Sequence, residues 1–296
     1  MIGWLAICAA VGVFAVEGAV HLSHLALAVP QQKRAAVMVM AHDAVLRDAE
    51  ITAADGAVLR GWSIRPRNAN GIAVILLHGQ GDNRAGMIGP AEMLLRQGYS
   101  VLLPDARGHG ESGGAITTYG VLEADDVRRW FEWVQREESP TCIDGLGDSM
   151  GGAELLRSLD AERGFCAVIA ESPFATFREA AYDRLGQEFQ TGPWLGRMVL
   201  RPALFWGVLY VRARYGVDLD KADPERAVAN STVPVMLIHG LADSNLPPRH
   251  SEAIKVRSSR VALWEPKGAD HCEASTTESA EYERRVIEWF ADHHAH

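Results

Sequence analysis

The chain has 296 residues, of which 48% are hydrophobic and 23% charged, a composition typical of a globular protein with an extended core. A formal net charge of −9 and the lack of any basic stripe argue against nucleic-acid binding. The four cysteines lack the spacing of metal ligands, so a zinc site is not expected. They are Cys8, Cys142, Cys166 and Cys272.

The N-terminal segment, residues 1–32, stands apart because Glu17 is its only formally charged side chain. Its apolar run, residues 2–22, is long enough to cross a bilayer, which takes about 20 residues, and favours a membrane anchor. The basic residues that follow favour a body on the cytoplasmic side. They are Lys33, Arg34 and Arg47. We therefore predict a membrane-associated protein with a single N-terminal span. A cleaved signal peptide or a packed helix, giving a secreted or a soluble cytoplasmic protein, is the alternative.

After a polar linker, residues 33–49, the pattern predicts strands and helices in alternation. Residues 50–65 form a predicted β-hairpin whose turn is Asp55-Gly56. The predicted strands after it are 72–77, 99–103, 142–146, 165–170, 233–239 and 261–264. The predicted helices are 83–97, 119–138, 149–162, 251–256 and 278–292. Such alternation is typical of an α/β domain with a mostly parallel, doubly wound sheet, which we place at residues 50–296.

Residues 172–232 interrupt the alternation, because they form a connection far longer than the usual link between core strands. The middle of this connection, residues 194–210, has apolar residues at helical spacing. Pro202 is expected to kink or divide that helix. The segment is therefore predicted to be a small helical cap, inserted between two core strands.

A nucleophile is predicted at Ser149, within the G-x-S-x-G pattern of residues 147–151. The pattern follows an apolar strand and precedes a predicted helix, so the serine lies on a sharp strand-to-helix turn. Flanking glycines are needed there because a Cβ atom would clash. The turn brings the hydroxyl to the carboxyl end of the sheet, where ligands bind in open α/β folds.

A serine needs a base, and we assign that role to His271 among the 11 histidines. His271 lies in the loop between the last strand and the last helix, whereas His78 and His239 precede glycines and are expected to be structural. Asp243, in the loop after a core strand, is predicted to orient the imidazole. Asp270 is a rival, but a residue adjacent to His271 rarely reaches its ring.

Two backbone N–H groups are expected to stabilise a developing oxyanion. One belongs to Met150, the residue after the nucleophile. The other is assigned to Gln80, in the loop after the first parallel strand.

The motifs taken together resemble the α/β-hydrolase superfamily over roughly residues 50–292. Within it the chain is similar to bacterial Bem46-like and serine-aminopeptidase-like hydrolases. The resemblance implies an α/β-hydrolase fold and a serine hydrolase without metal or cofactor. The carrying segments are 78–83, 105–112, 147–152, 239–243 and 268–271.

The predicted reaction is hydrolysis of a carboxylic ester through an acyl-enzyme on Ser149, with a small-molecule ester or acyl compound as substrate. Thioesterase and peptidase activities use the same machinery and remain open. An aminopeptidase would need an acidic group for the substrate amine, such as Glu171 or Glu179. A non-catalytic binding protein that keeps the fold is a further alternative.

Two sequence features concern the remaining cysteines. Cys142 and Cys166 begin two core strands and are expected to be reduced core thiols rather than a disulfide. Cys272, next to the predicted base, is expected to be a buried small residue rather than a regulatory thiol.

Overall fold

A central sheet of eight strands organises the computed structural model, which describes residues 2–21, 43–188, 190 and 192–294. The spatial order is β1-β2-β4-β3-β5-β6-β7-β8. β2 runs antiparallel to β1 and β4, and all other neighbours are parallel. The strands are β1 (Ala44–Thr52), β2 (Val58–Pro66), β3 (Ile72–Leu77), β4 (Ser100–Pro104), β5 (Cys142–Asp148), β6 (Val168–Glu171), β7 (Val235–Ile238) and β8 (Val261–Trp264).

Helices cover both faces of this sheet. The α-helices are α1 (Ile2–His21), α2 (Ile88–Arg96), α3 (Glu123–Glu138), α4 (Met150–Ser158), α5 (Phe177–Glu188), α6 (Gly192–Tyr215), α7 (Pro224–Asn230), α8 (Arg249–Lys255), α9 (Ala274–Thr277) and α10 (Ser279–His293). Short 3₁₀ turns occupy Arg84–Met87 and Leu219–Lys221.

The side chains of β3 are apolar on both faces of the sheet, so both faces must be covered. Ile75 and Leu77 belong to an apolar layer shared with α3 and α4, whereas Val74 and Leu76 belong to a second layer shared with α2 and α10. Successive side chains of a strand point to opposite faces, so a strand covered on both faces is apolar throughout. The predicted mostly parallel, doubly wound sheet is confirmed.

The cap comprises α5, α6 and α7, which lie between β6 and β7 in the chain. α6 is a single helix that runs through Pro202, so the proline does not divide it. A proline inside a helix costs about 3 kcal/mol. Burial of Leu204, Val208 and Val211 on the same helix offsets that cost through packing.

The N-terminal segment contains α1, which packs against α6 of the cap. Val16 and Val20 are buried in the apolar cluster that also contains Leu204 and Val208. The two helices touch backbone to backbone at Gly12, where an added Cβ would lie 1.8 Å from the carbonyl oxygen of Ala203. Small residues permit this close approach.

The prediction of a membrane-associated protein with a single N-terminal span was wrong. Among the described residues, no helix combines the length and the apolar character that crossing a bilayer requires. Instead, Tyr215 of α6 donates a hydrogen bond to Glu17 (2.5 Å) and lies 3.1 Å from Nε2 of His21. Glu17, the one charged side chain within the apolar run, is therefore paired with a polar side chain of α6.

The boundaries before the sheet differ from those expected. β1 begins at Ala44, inside the predicted linker of residues 33–49. Residues 22–42 lie outside the described part of the chain.

Cys142 and Cys166 form a disulfide, contrary to the expectation of two reduced thiols. β5 and β6 are neighbouring strands, and the Cα atoms of the two cysteines are 6.0 Å apart, within the range that a disulfide spans. Cys8 and Cys272 are free.

Candidate active site

Ser149 lies on the turn between β5 and α4, at the carboxyl end of the sheet. Its backbone is left-handed (φ 51°, ψ −113°), a conformation that a non-glycine residue adopts only when its surroundings enforce it. Its N–H donates to the carbonyl of Glu171 over 2.7 Å, which ties the turn to β6. A Cβ on Gly151 would lie 2.4 Å from the carbonyl oxygen of Leu77, so that position requires glycine.

His271 faces both other predicted members of the site. Its Nε2 is 2.8 Å from Oγ of Ser149, and its Nδ1 is 2.8 Å from Oδ2 of Asp243. A carboxylate only accepts hydrogen bonds, so the proton lies on Nδ1 and Nε2 is left to accept from the serine hydroxyl. This is the tautomer in which an imidazole can take a proton from a nucleophile.

Asp243 is held in place by four groups. Its Oδ1 accepts from the backbone N–H groups of Asn245 (2.9 Å) and Leu246 (2.8 Å). Its Oδ2 lies 2.8 Å from His271 and 3.3 Å from Nε2 of His239. Burial by itself would raise the pKa of Asp243, but hydrogen bonds from His239 and His271 outweigh it and hold that pKa well below its ordinary value. The carboxyl is therefore ionised at neutral pH.

Asp270 has other partners. Its Oδ1 accepts from the backbone N–H groups of Ser244 and His271, both over 2.8 Å. It thus orders the loop that carries His271, while the imidazole ring is bound by Asp243.

His239 contributes more than the structural role expected from sequence. Its Nδ1 accepts from the hydroxyl of Ser251 (2.7 Å), and its Nε2 donates to the carbonyl of Leu246 (2.9 Å). The same Nε2–H faces Asp243. The signal in the sequence was its position four residues before that acid, at the end of β7.

The loop after β3 approaches the nucleophile closely. A Cβ on Gly79, the residue before Gln80, would lie 3.5 Å from Cβ of Ser149. Met150 is the first residue of α4, so its N–H has no acceptor within the helix. Gln80 and Met150 thus directly follow Gly79 and Ser149 in the chain, and their role as oxyanion donors stays a prediction.

Behind the nucleophile lies a pair of carboxyl groups, of which the sequence had singled out only Glu171, as a possible partner for a substrate amine. Asp148 and Glu171 are paired in register across β5 and β6, and Oε1 of Glu171 accepts from the N–H of Ala274 (2.9 Å). Oδ1 of Asp148 is inaccessible to solvent and has no hydrogen-bond partner among the described residues. Burial and the charge of Asp148 raise the pKa of Glu171 to about 8. Burial, together with the charge of Asp82, raises the pKa of Asp148 to about 7.

Cys272, which follows the base, has Sγ 3.8 Å from the carbonyl oxygen of Glu171. Burial raises the pKa of this thiol well above its ordinary value. A protonated thiol is a weak nucleophile, so Cys272 is not expected to compete with Ser149 as a nucleophile.

One group of side chains in the described part of the chain brings three potential metal ligands together: Cys142, Asp144 and His294. Sγ of Cys142 is bonded to Cys166, and Nε2 of His294 donates to Asp144 over 2.7 Å. The group lies at the start of β5, whereas Ser149 follows its end. These atoms are already paired and distant from the nucleophile.

Comparison with known proteins shows which family this chain resembles in sequence. Residues 74–283 match the model of the Alpha/beta hydrolase family. The uncharacterized protein YqkD of Bacillus subtilis is 27% identical over 246 residues, which are 82% of this chain and 78% of YqkD. These matches do not select the Bem46-like or aminopeptidase-like group within the family.

Solved structures agree with the sheet described above. The Pyrococcus furiosus esterase Pf2001 superposes with a TM-score of 0.68 at 26% identity, over 87% of this chain and 94% of the esterase. A puromycin-hydrolyzing peptidase of Mycobacterium tuberculosis shares the fold alone, with a TM-score of 0.66 at 14% identity over 84% of this chain and 39% of the peptidase. The predicted α/β-hydrolase fold is confirmed.

Proposed function

Since this chain belongs to the alpha/beta hydrolase family, we propose that it is a serine hydrolase that cleaves carboxylic esters through an acyl-enzyme on Ser149. The observation that carries the proposal is the unbroken line of hydrogen bonds from Asp243 through His271 to the serine hydroxyl, each over 2.8 Å. Similarity to a hydrolase named as an esterase supports the choice of substrate class.

In the first step, Oγ of Ser149 attacks the ester carbonyl carbon while Nε2 of His271 takes the hydroxyl proton. Asp243 stabilises the resulting imidazolium, and its own ionised state at neutral pH suits that task. The tetrahedral oxyanion is bound by the N–H groups of Met150 and Gln80. His271 then returns the proton to the leaving alcohol, and the acyl group stays on Ser149.

In the second step, water takes the place of the alcohol. His271 accepts a proton from the water as its oxygen attacks the acyl carbon, and it returns that proton to Oγ of Ser149 when the acid departs. The enzyme is regenerated and one water is consumed per ester.

Glu171 and Glu179 were the acidic groups considered as partners for a substrate amine, and their surroundings favour an ester substrate over a peptide. Glu171 is 3% exposed and accepts the N–H of Ala274, so it lies behind the nucleophile rather than in front of it. Glu179 pairs with Arg249 over 3.0 Å, which balances its charge. A thioester would place the same demands on the site as an ester, and the narrower Bem46-like assignment stays a prediction.

A fluorophosphonate probe tests the nucleophile. We expect the wild-type chain to be labelled and Ser149→Ala to be unlabelled with an unchanged Tm. Ser172→Ala, at another buried serine of the same region, serves as the control that should keep its label. Undiminished labelling of Ser149→Ala would refute the assignment, and a panel of p-nitrophenyl esters against aminoacyl anilides separates esterase from peptidase.

A further inference from the structure

Tyr119 connects the N-terminal helix to the loop beside the nucleophile. Its hydroxyl donates to the carbonyl of Ala19 in the last turn of α1, over 2.9 Å. The same oxygen accepts from Nε2 of Gln80, also over 2.9 Å. One hydroxyl therefore fixes the side chain of the residue proposed to donate a backbone N–H to the oxyanion.

The protein holds Tyr119 firmly in this position. Its backbone is left-handed (φ 57°), and the carboxylate of Glu123 accepts from the backbone N–H groups on both sides, those of Thr118 (2.6 Å) and Gly120 (2.8 Å). Its ring packs on Phe177, with centroids 5.2 Å apart. Burial raises the pKa of the phenol, so the hydroxyl stays protonated and can donate and accept at once.

α1 supplies the other anchor. Besides the bond from Tyr119, the carbonyl of Val20 accepts from the N–H of Thr117 over 3.0 Å, so the last turn of α1 binds this loop twice. Val20 is fully buried in the cluster that contains Met150, the second proposed oxyanion donor. The last turn of α1 thus packs in the same apolar cluster as the residue that follows the nucleophile.

The other bonds of the loop that carries Gln80 involve its neighbours: the carbonyl of Gly79 accepts from the N–H of Asp82 (3.3 Å) and from Nδ1 of His78 (2.8 Å). Gly79 packs on Ser149, and the N–H of Gly81 donates to Nε2 of His109 over 3.3 Å, a long bond. Gly81 has a left-handed backbone (φ 74°) and no side chain to anchor it. Between these two glycines, the bond to Tyr119 is the contact that fixes the side chain of Gln80.

We propose that Tyr119, anchored by the last turn of α1, is a positioning residue that aligns the backbone N–H of Gln80 with the oxyanion of the transition state. The proposal rests on the proposed serine hydrolase function. It assigns a task to the N-terminal helix and to a tyrosine that touches no triad residue. Loss of the hydroxyl should weaken binding of the transition state more than binding of the substrate.

The test is Tyr119→Phe in the full-length chain, which keeps the ring contacts and removes both hydrogen bonds. Loss of a whole oxyanion donor costs a factor of about 100 or more, and a misaligned one should cost about tenfold in kcat with KM changed less than twofold. Affinity for an aryl trifluoromethyl ketone, whose adduct carries the oxyanion, should fall by the same factor. Tyr99→Phe, at a buried tyrosine of the apolar layer that β3 shares with α2 and α10, is the matched control and should leave both values unchanged.

Gln80→Ala separates positioning from mere stability, because it removes the bond to Tyr119 but leaves the bond from Tyr119 to Ala19. We expect it to reproduce the losses of Tyr119→Phe, and the double variant to be no worse than either single variant. Wild-type kcat and ketone affinity in Tyr119→Phe would overturn the proposal. So would a loss that follows Tm alone and is absent from Gln80→Ala. A wild-type chain that the fluorophosphonate does not label would instead refute the hydrolase function itself.

Discussion

Asp243→Asn is the sharpest test of how the site is arranged. The amide oxygen of asparagine can keep the bonds from the N–H groups of Asn245 and Leu246, so the loop should retain its shape. The amide NH₂ then faces Nδ1 of His271, where the carboxylate oxygen had been. Two donors cannot bond, so the imidazole is expected to move its proton to Nε2, the atom that must accept from Ser149.

The expected fall in kcat of Asp243→Asn follows from this change of tautomer. An imidazole with its proton on Nε2 cannot act as the base, and the same substitution in a serine protease lowers kcat about 10⁴-fold. That factor corresponds to about 5.5 kcal/mol in the activation free energy. Stability should change far less, because the packing and the backbone bonds of residue 243 persist.

The assay is kcat on a p-nitrophenyl ester with Tm measured beside it. Asp270→Asn is the matched control, since it removes one carboxylate from the same loop cluster while its amide oxygen can still accept from Ser244 and His271. We expect Asp270→Asn to stay within about threefold of the wild type, because Asp270 bonds to backbone N–H groups and to the hydroxyl of Ser244 rather than to the imidazole ring. An active Asp243→Asn beside an inactive Asp270→Asn would refute the arrangement.

Three further predictions concern stability. Val20→Ala removes two methyl groups from a fully buried site, so the free energy of unfolding measured in urea should fall by about 2 kcal/mol. Ile7→Ala, on the exposed face of α1, should change it little. Equal effects of the two substitutions would contradict the packing of α1. The pKa of Glu171 is raised from 4.5 to about 8, so the unfolded chain loses this proton first and stability should fall as pH rises between these values. Glu171→Gln should flatten that decline, and an unchanged slope between pH 5 and pH 8 would count against it. Replacing Cys142 and Cys166 by alanine opens a loop of 24 residues and should lower the free energy of unfolding by about 3 kcal/mol; equal stability of this variant and the oxidised wild type would exclude the disulfide.

The sheet could be predicted because its signals are local. The runs at β3 and β8 were placed at their observed bounds. β3 is uniformly apolar because it is buried on both faces, and β8 is a short apolar run at the edge of the sheet. The sequence also allowed us to predict that the three proposed catalytic side chains are neighbours. In a parallel sheet the carboxyl ends of all strands meet at one edge, so residues just past β5, β7 and β8 must be neighbours.

The N-terminal segment could not be placed because hydropathy does not record what covers an apolar face. A helix packed on a cap and a helix in lipid both need about the same apolar residues. The features that distinguish them are pairwise: the approach of Gly12 to Ala203, and the bond from Tyr215 to Glu17. Tyr119 escaped notice for the same reason, since its partners lie 39 and 100 residues away in the chain.

The packing of α1 on α6 also constrains the order in which the molecule can be assembled during synthesis. α1 ends at His21, whereas the buried partners Leu204 and Val208 lie in α6, in the middle of the cap. At a synthesis rate of about 5–20 residues per second, roughly 10–40 seconds separate the emergence of the two helices. The nucleophile turn and most of the sheet leave the ribosome within that interval. α1 is therefore synthesised long before its partner, and its apolar face stays available to chaperones until α6 arrives.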